Sequence, residues 1–335
     1  MSDVDPVPDD CAREDERIDV TEVNPARRIL LTDHPWAGVE VERPMCASMG
    51  FELVEAPKGA TLQQLIDLAL DTVGIITCWS QVPSELINAS SRLRVISRLG
   101  VGVDNIDVAA AHQRGIVVTR VPDYCVEEVS DHAVALTLAL ARGVAFFNNA
   151  VQHGTWDPGS FTPRRVREMT IGILGSGRNG IRTAEKFAAL GCRVYVDDRH
   201  RDRVPSFGTM SFGEILMNSD VVSLHLPLTE ANRNIVDDDA LGRMREGAYL
   251  VNTSRGGLID VDALVRALDA GRLGGAALDV LPNEPDVPPS LLGRDNVIIT
   301  PHVAFSSAHS VDELRRRTVE DHLRAQRGET PEHQV

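Results

Sequence analysis

One segment constrains the fold more than any other. In TIGILGSGRNGIRTAEKFAALGCRVYVDD an apolar β-branched run leads into Gly175-x-Gly177-x-x-Gly180, and an amphipathic helical pattern follows at once. Strand, glycine turn and helix in that order open a parallel βαβ unit. Gly175 permits the tight turn, Gly177 lets a pyrophosphate approach the backbone, and Gly180 lets helix and strand pack closely; the helix N-terminus attracts the phosphate charge. Arg178 and Asn179 lie inside the loop and join the same cofactor-binding set. The following strand ends in Asp197 and Asp198. Asp198 is the better match to a carboxylate about 20 residues on that accepts hydrogen bonds from an adenosine ribose, which favours NAD over NADP. Arg199, Arg201 and Arg203 come next, and read either as an offset to the repulsion of a 2′-phosphate or as a solvated loop.

The same alternation runs through most of the chain. Ile29 to Leu31, Phe51 to Val54, Gly74 to Cys78, Val95 to Leu99 and Ile116 to Thr119 read as strands, with helical stretches near Leu62 to Leu70, Ser84 to Ala89 and Val108 to Arg114 between them. A long helical pattern starts near Val126 and runs through VSDHAVALTLALARGVAFF until HGTWDPGSFTP breaks it. A second series follows, with strands at Thr170 to Leu174, Arg193 to Val196, Val221 to Leu224, Tyr249 to Asn252, Ala276 to Leu278 and Val297 to Thr300, giving a sheet of about six strands. The last helix is expected over roughly Ser307 to Arg327. Strands alternating with helices predict an α/β chain of two doubly wound parallel-sheet domains. Residues 1–24 carry nine acidic side chains and two arginines and read as a disordered acidic tail.

Charge and composition exclude several function classes. A net charge of −15 repels nucleic-acid phosphates and anionic lipid surfaces, so neither nucleic acid nor a membrane is an expected partner. The longest uncharged apolar run, Ala133 to Ala141, is far short of the roughly 20 residues of a membrane helix. The N-terminal residues lack the basic and apolar regions of a secretory signal, which makes the cytoplasm the expected location. Five scattered cysteines without a C-x-x-C pair suggest reduced thiols and no metal site. Only two lysines, Lys58 and Lys186, are present, which leaves few candidates for Schiff-base chemistry.

Three polar residues fall where strands of the second sheet should end, the end at which open α/β sheets bind ligands: Arg255 in LVNTSRGGLID, Glu284 in ALDVLPNEP and His302 in VIITPHVAF. With RLGVGVDNIDVAAA, VPDYCVEEVSDHA, GILGSGRNG and DVVSLHLPLT, these segments closely resemble the D-2-hydroxyacid dehydrogenase family, which includes phosphoglycerate dehydrogenase, glyoxylate/hydroxypyruvate reductase and the C-terminal binding proteins. The resemblance runs from about Arg28 to Arg327. It implies a Rossmann NAD-binding domain over residues 125–304, inserted between hinges near Tyr124 and Ala304 into a flavodoxin-like substrate domain of residues 25–124 and 305–327, with the active site in the cleft.

The resemblance also implies roles. Arg255 matches the arginine that grips the substrate carboxylate and polarises its carbonyl, a task suited to a planar cationic fork. His302 matches the general acid and base, and Glu284 the carboxylate that holds its imidazole. Backbone amides at Val101 and Gly102 match a carboxylate-binding loop, although Gly102 reads equally as a plain turn glycine. Trp79 matches a loop that covers the substrate side chain, or is a packed aromatic. Asp279 resembles the residue near the nicotinamide carboxamide; Thr253, Ser254, Arg255 and His302 line the same cofactor face; His225, Pro227 and Thr229 resemble the loop under the adenosine. Phe305 resembles the bulky residue of the C-terminal-binding-protein branch and favours an apolar substrate side chain. Two departures, Glu168 for the usual glycine before the cofactor strand and Asn179 for an aliphatic residue, remove no reacting group.

The expected activity is therefore NAD-dependent hydride transfer between NADH and a 2-oxo acid or D-2-hydroxy acid. The alternative is an NAD(H)-sensing binding protein with little turnover. The Ala/Leu-rich stretch 126–150 with its HGTWD loop resembles the family's dimerisation arm, and a homodimer is expected.

Overall fold

A computed structural model describes residues 27–197 and 207–335. The expected acidic tail, Asp198 and the three arginines after it lie outside those residues. Contacts divide the rest into two units. One holds the described residues up to Leu99 with Asn105–Arg120 and Arg316–Val335; the other holds Gly100–Asp104 and Val121–Arg315.

The first unit is built on β1 (Arg28–Leu31), β2 (Glu52–Glu55), β3 (Thr72–Thr77), β4 (Val95–Arg98) and β5 (Val117–Thr119), all parallel and in the order β2-β1-β3-β4-β5. That is the flavodoxin-like order. Between the strands lie α1 (Glu42–Ser48), α2 (Leu62–Ala69), α3 (Ser84–Ala89) and α4 (Val108–Gln113). The central strands β3 and β4 are buried along their whole length, as expected of a parallel sheet covered on both faces. A chain reversal at Cys78 to Ser80 is closed by a carboxylate: Asp33 accepts the N–H groups of Cys78, Trp79 and Ser80 at 3.0, 2.7 and 3.2 Å. Burial by itself raises the Asp33 carboxyl, but those bonds and the Thr32 hydroxyl outweigh it and hold the group below the ordinary carboxylate range.

The second unit carries β6 (Thr170–Leu174), β7 (Arg193–Asp197), β8 (Gly208–Met210), β9 (Val221–Leu224), β10 (Ala248–Asn252), β11 (Leu273–Leu278) and β12 (Val297–Ile299), parallel throughout, in the order β12-β11-β10-β9-β6-β7-β8. This is the Rossmann order with one strand added, and its switch point lies between β6 and β9. The period-two alternation of strand side chains fills both faces. Leu250, Ala276 and Leu278 join one apolar cluster, under α8 (Phe212–Asn218), α9 (Asp238–Arg243) and α10 (Val261–Asp269). Tyr249, Val251 and Ala277 join the other, under α5 (Val126–Arg142) and α7 (Arg178–Ala189).

Two expectations need correction. The sheet has seven strands rather than about six, the extra one being the three-residue edge strand β8. The long helix from Val126 is two helices, α5 and α6 (Val144–Gln152), bent by 61°. Gly143, at φ 64°, closes α5 in the left-handed conformation that glycine adopts without penalty. Neither helix is by itself long and apolar enough to cross a membrane, and the same holds for every helix among the described residues. The final helix, α11, spans Ala308–Gln326.

Candidate active site

The glycine loop leaves β6 at Leu174 and enters α7 through Gly177. Gly175 has φ 113°, and a Cβ on Gly180 would lie 1.9 Å from the Gly175 carbonyl oxygen, so the turn and the helix close on each other only with glycine at both positions. Gly177 behaves differently: a Cβ there meets nothing within 4 Å among the described residues, at the start of a helix with no acidic residue in its first turn. Arg178 is exposed and Asn179 half-buried beside it. These features fit a phosphate group at the helix N-terminus.

Across the switch point, His225 follows β9 and donates its N–H to the Leu174 carbonyl at 2.7 Å. Burial holds the His225 imidazole down to about 4, so it is neutral, with Nε2 2.9 Å from Ser223 Oγ. Pro227 and Thr229 are joined by Asn232, whose amide donates to the Pro227 carbonyl and accepts from the Thr229 N–H, both at 2.7 Å. At the end of β10, buried Asn252 shapes the next turn, accepting from Ser254 N–H at 3.0 Å and donating to the Arg255 carbonyl at 2.9 Å. Thr253, in that turn, has a buried hydroxyl with no hydrogen-bond partner among the described residues. A buried hydroxyl left without a partner at a strand end is what a site shaped for a polar ligand leaves behind. Asp197 ends β7 and is buried; Asp198, the expected ribose ligand, is outside the described residues.

The second cluster stands at the ends of β10, β11 and β12. Asp279, 1% exposed, accepts the N–H groups of Val303 and Ala304 at 2.9 Å each and the Thr300 hydroxyl at 2.6 Å; its own carbonyl accepts the His302 N–H at 2.8 Å. Those bonds hold His302 at φ 51°, a conformation that costs a non-glycine residue of the order of 1–3 kcal/mol. His132 on α5 completes the clamp, with Nε2 3.0 Å from Thr300 Oγ1. The structure therefore gives Asp279 a task that the sequence does not show: it fixes the backbone that presents His302.

His302 Nδ1 lies 2.7 Å from Glu284 Oε2, and Glu284 Oε1 accepts the Leu281 N–H at 2.9 Å. Burial pushes the Glu284 carboxyl up, but the bond to His302, that from Leu281 and the charge of Arg255 together hold it below the ordinary carboxylate range. An ionised Glu284 engages Nδ1 and leaves Nε2 to exchange a proton with a ligand. The ring centroid of Phe305 is 6.4 Å from that of His302 and 6.4 Å from that of Tyr124, an apolar wall beside the imidazole.

Arg255 is not solitary. Its Nε and Nη2 bind Asp104 Oδ1 at 3.1 and 3.0 Å, and Nη1 donates to the Ser254 carbonyl at 2.8 Å. A Cβ on Gly102 would lie 1.7 Å from Arg255 Nη2, so glycine is required for the guanidinium to rest against this loop. Val101 is half-buried in the same loop. Sequence reasoning missed Asp104, Asn252, His132 and Asn232; the first three stand inside motifs already singled out, which was the available signal. Trp79 belongs to the other unit, where its backbone is held by Asp33 and its side chain is 39% exposed. Among the described residues no group of three or more His, Cys, Asp or Glu side chains is placed to hold a metal.

Comparison with known proteins follows the same lines. The family model described as the NAD-binding domain of D-isomer specific 2-hydroxyacid dehydrogenases matches residues 134–304. The chain is 36% identical over 260 residues to the D-3-phosphoglycerate dehydrogenase of Archaeoglobus fulgidus, an alignment covering 76% of this chain and 49% of that one. It is 37% identical over 260 residues to the glyoxylate reductase of Korarchaeum cryptofilum, covering 75% and 78%. The chain thus spans about half the length of the phosphoglycerate dehydrogenase and most of the glyoxylate reductase. The D-lactate dehydrogenase of Aquifex aeolicus, solved with NAD and lactic acid, superposes with a TM-score of 0.81 at 28% identity over 90% of this chain and 96% of that one. With its glycine cradle, its clamped histidine and these relatives, the chain belongs to the D-isomer specific 2-hydroxyacid dehydrogenase family.

Proposed function

We propose that this chain reduces small 2-oxo acids to D-2-hydroxy acids with NADH, and runs the reverse reaction under the opposite mass balance. The observation that carries the reading is the His302–Glu284 pair, 2.7 Å long, on a loop clamped by Asp279 in the same sheet as the glycine cradle. Residues Gly175 to Gly180 would hold the pyrophosphate, Thr253 and Asp279 the nicotinamide end, and His225, Pro227 and Thr229 the adenosine side, with Asp198 on the ribose. When bound, the nicotinamide supplies or accepts the hydride. The chain's own side chains do the rest. Arg255 binds the substrate carboxylate and draws charge onto the carbonyl oxygen, and His302 Nε2 protonates that oxygen as it becomes an alcohol. Glu284 holds the ring by Nδ1 and so keeps Nε2 turned to the substrate. Val101 and Gly102 amides add donors to the carboxylate, and Phe305 faces the substrate's side chain, which favours an apolar one.

The relatives' names, dehydrogenase and reductase, favour turnover over the binding-protein alternative. The test is NADH absorbance in the presence of glyoxylate, hydroxypyruvate, phosphohydroxypyruvate, 2-oxoglutarate and branched or aromatic oxo acids. Oxidation with one of them, lost in His302→Ala, is the expected result. Tight NADH binding without turnover on any acid would move the assignment to a sensor. A homodimer is part of the same reading: Val144 and Val151 on α6 and Trp156 beyond it are exposed, the last at 86%, beside a cluster of Phe146, Phe147 and Phe161. A monomeric mass by light scattering would refute it.

A further inference from the structure

We propose that Asp104 is a positioning residue for Arg255: by occupying one edge of the guanidinium it aims the remaining N–H groups at the carboxylate of an incoming 2-oxo acid. The inference rests on the reading of Arg255 as the carboxylate-binding group, and adds to it a residue that this reading does not use.

A carboxylate beside an anion-binding arginine is at first sight a liability, because it competes with the ligand for the same charge. Donor counting resolves this. A guanidinium has five N–H groups. Asp104 takes Nε–H and one N–H of Nη2, and the Ser254 carbonyl takes one N–H of Nη1. Two N–H groups remain, one on each terminal nitrogen, the number that a carboxylate engages in a bidentate pair. The pair is also poorly explained by stability. Asp104 is 54% exposed and Arg255 26%, and ion pairs open to water contribute little to folding. An arginine side chain free to rotate would have to be ordered at each binding event; one already held along its Nε edge is not.

The loop is shaped for this contact. Gly102 has no room for a side chain because Arg255 Nη2 stands 1.7 Å, and Asp104 Oδ1 2.6 Å, from where its Cβ would be. The backbone of Arg255 is fixed from the other side by Asn252. Gly102 and Asp104 thus act on the guanidinium, and Asn252 on the backbone that carries it.

The experiment measures the affinity of the NADH-loaded protein for oxamate, a 2-oxo carboxylate that is not reduced, by fluorescence or calorimetry, beside turnover of the best 2-oxo acid. Asp104→Asn is expected to weaken oxamate and raise KM about tenfold to a hundredfold, with kcat changed far less. Arg255→Ala should lose more, and the double variant should be no worse than Arg255→Ala within about twofold, because a residue acting only through Arg255 has nothing left to lose. Gly102→Ala should reproduce the Asp104→Asn loss, and serves in its place if that variant does not hold NADH. Three results would overturn the proposal: unchanged oxamate affinity in Asp104→Asn, tighter binding, which would make Asp104 a competitor, or losses that add in the double variant. Wild-type binding of oxamate with these same dependences but no turnover on any oxo acid would sustain the positioning role and refute the reductase reading. Absence of oxamate binding by the wild type would overturn both.

Discussion

The two sheets share parallel strands and doubly wound topology, yet the loops after β6 and β3 treat their N–H groups in opposite ways. In the seven-stranded unit the loop after β6 is left open among the described residues: a Cβ on Gly177 meets nothing within 4 Å, α7 starts without an acidic residue, and the buried Thr253 hydroxyl finds no partner there. In the five-stranded unit three successive N–H groups, at Cys78, Trp79 and Ser80, all point at the carboxylate of Asp33. Both units close one loop on a buried or part-buried carboxylate, Asp33 in one and Asp279 in the other; the glycine loop after β6 is the one that no side chain among the described residues closes in this way. Histidines divide in the same way. His302 is half-buried, held in a left-handed conformation against Glu284, whereas His322 is fully buried, with Nδ1 2.8 Å from Ser97 Oγ and its ring packed on Gly74.

Replacing one histidine and then the other breaks this comparison most sharply. His302→Ala is expected to lower kcat about 10²–10⁴-fold with little change in melting temperature. His322→Ala should do the reverse, lowering stability by a few kcal/mol through a cavity and the loss of one of the two bonds of the Ser97 hydroxyl, which keeps only the one it accepts from Thr119, while the folded fraction keeps its kcat. Equal losses of rate in both variants would remove the distinction.

The open cradle is tested next. Gly180→Ala places a Cβ 1.9 Å from the Gly175 carbonyl, so helix and turn must separate. NADH affinity should fall about a hundredfold, or about 3 kcal/mol. Gly177→Ala, whose methyl meets nothing within 4 Å among the described residues, should leave stability unchanged and weaken NADH alone, because the bound cofactor would meet that methyl. A loss of stability in Gly177→Ala, read by urea unfolding, would contradict the open-space reading.

Each unit also holds a histidine that burial keeps neutral, His225 held down to about 4 and His322 to about 3. Both values lie below the ordinary 6.5, so between them the unfolded chain binds more protons than the folded one. The contribution to stability is complete above about pH 6.5 and is lost as pH falls. By pH 5 the loss is about 2 kcal/mol per histidine, at 1.36 kcal/mol per pH unit. The carboxyls of Asp33 and Glu284 are depressed, and their contribution is lost only at still lower pH, below the ordinary carboxylate range. Urea midpoints at pH 7 and pH 5 should show the drop, and His322→Gln should remove about half of it; an undiminished drop would place the acid sensitivity elsewhere.

How much of this could be read from the chain depends on how local each cause is. β6 and β9 were legible to the residue because their apolar runs are closed by glycine or histidine at the strand end. β8 was not, since GTM is three residues long, begins with glycine and lies at a half-exposed edge. The break after Arg142 was signalled by Gly143 but overridden by a helical periodicity that continues on both sides. The glycine cradle and the His302, Glu284 and Arg255 motifs are local words. Asp104 meeting Arg255, 151 residues away, and Asp279 holding the His302 loop are properties of the folded sheet, and nothing in the neighbouring residues announces them.

The smallest expected effect lies in the loop that Asp33 closes in the first sheet, and it decides whether that loop is structural or functional. Asp33→Ala leaves three N–H groups without an acceptor in a loop that is only partly buried, so water replaces some of the lost bonds and the cost is about 1–2 kcal/mol. Asp33→Asn keeps one carbonyl oxygen and should cost about half as much. If the loop carrying Trp79 covers the substrate's side chain, Asp33→Ala raises KM for branched and aromatic oxo acids more than for glyoxylate, with NADH affinity unchanged. If Trp79 is only a packed aromatic, KM moves for none of them and the melting temperature alone falls. An increase in KM that is the same for every acid would fit neither, and would show that Asp33 acts on the carboxylate end of the substrate instead.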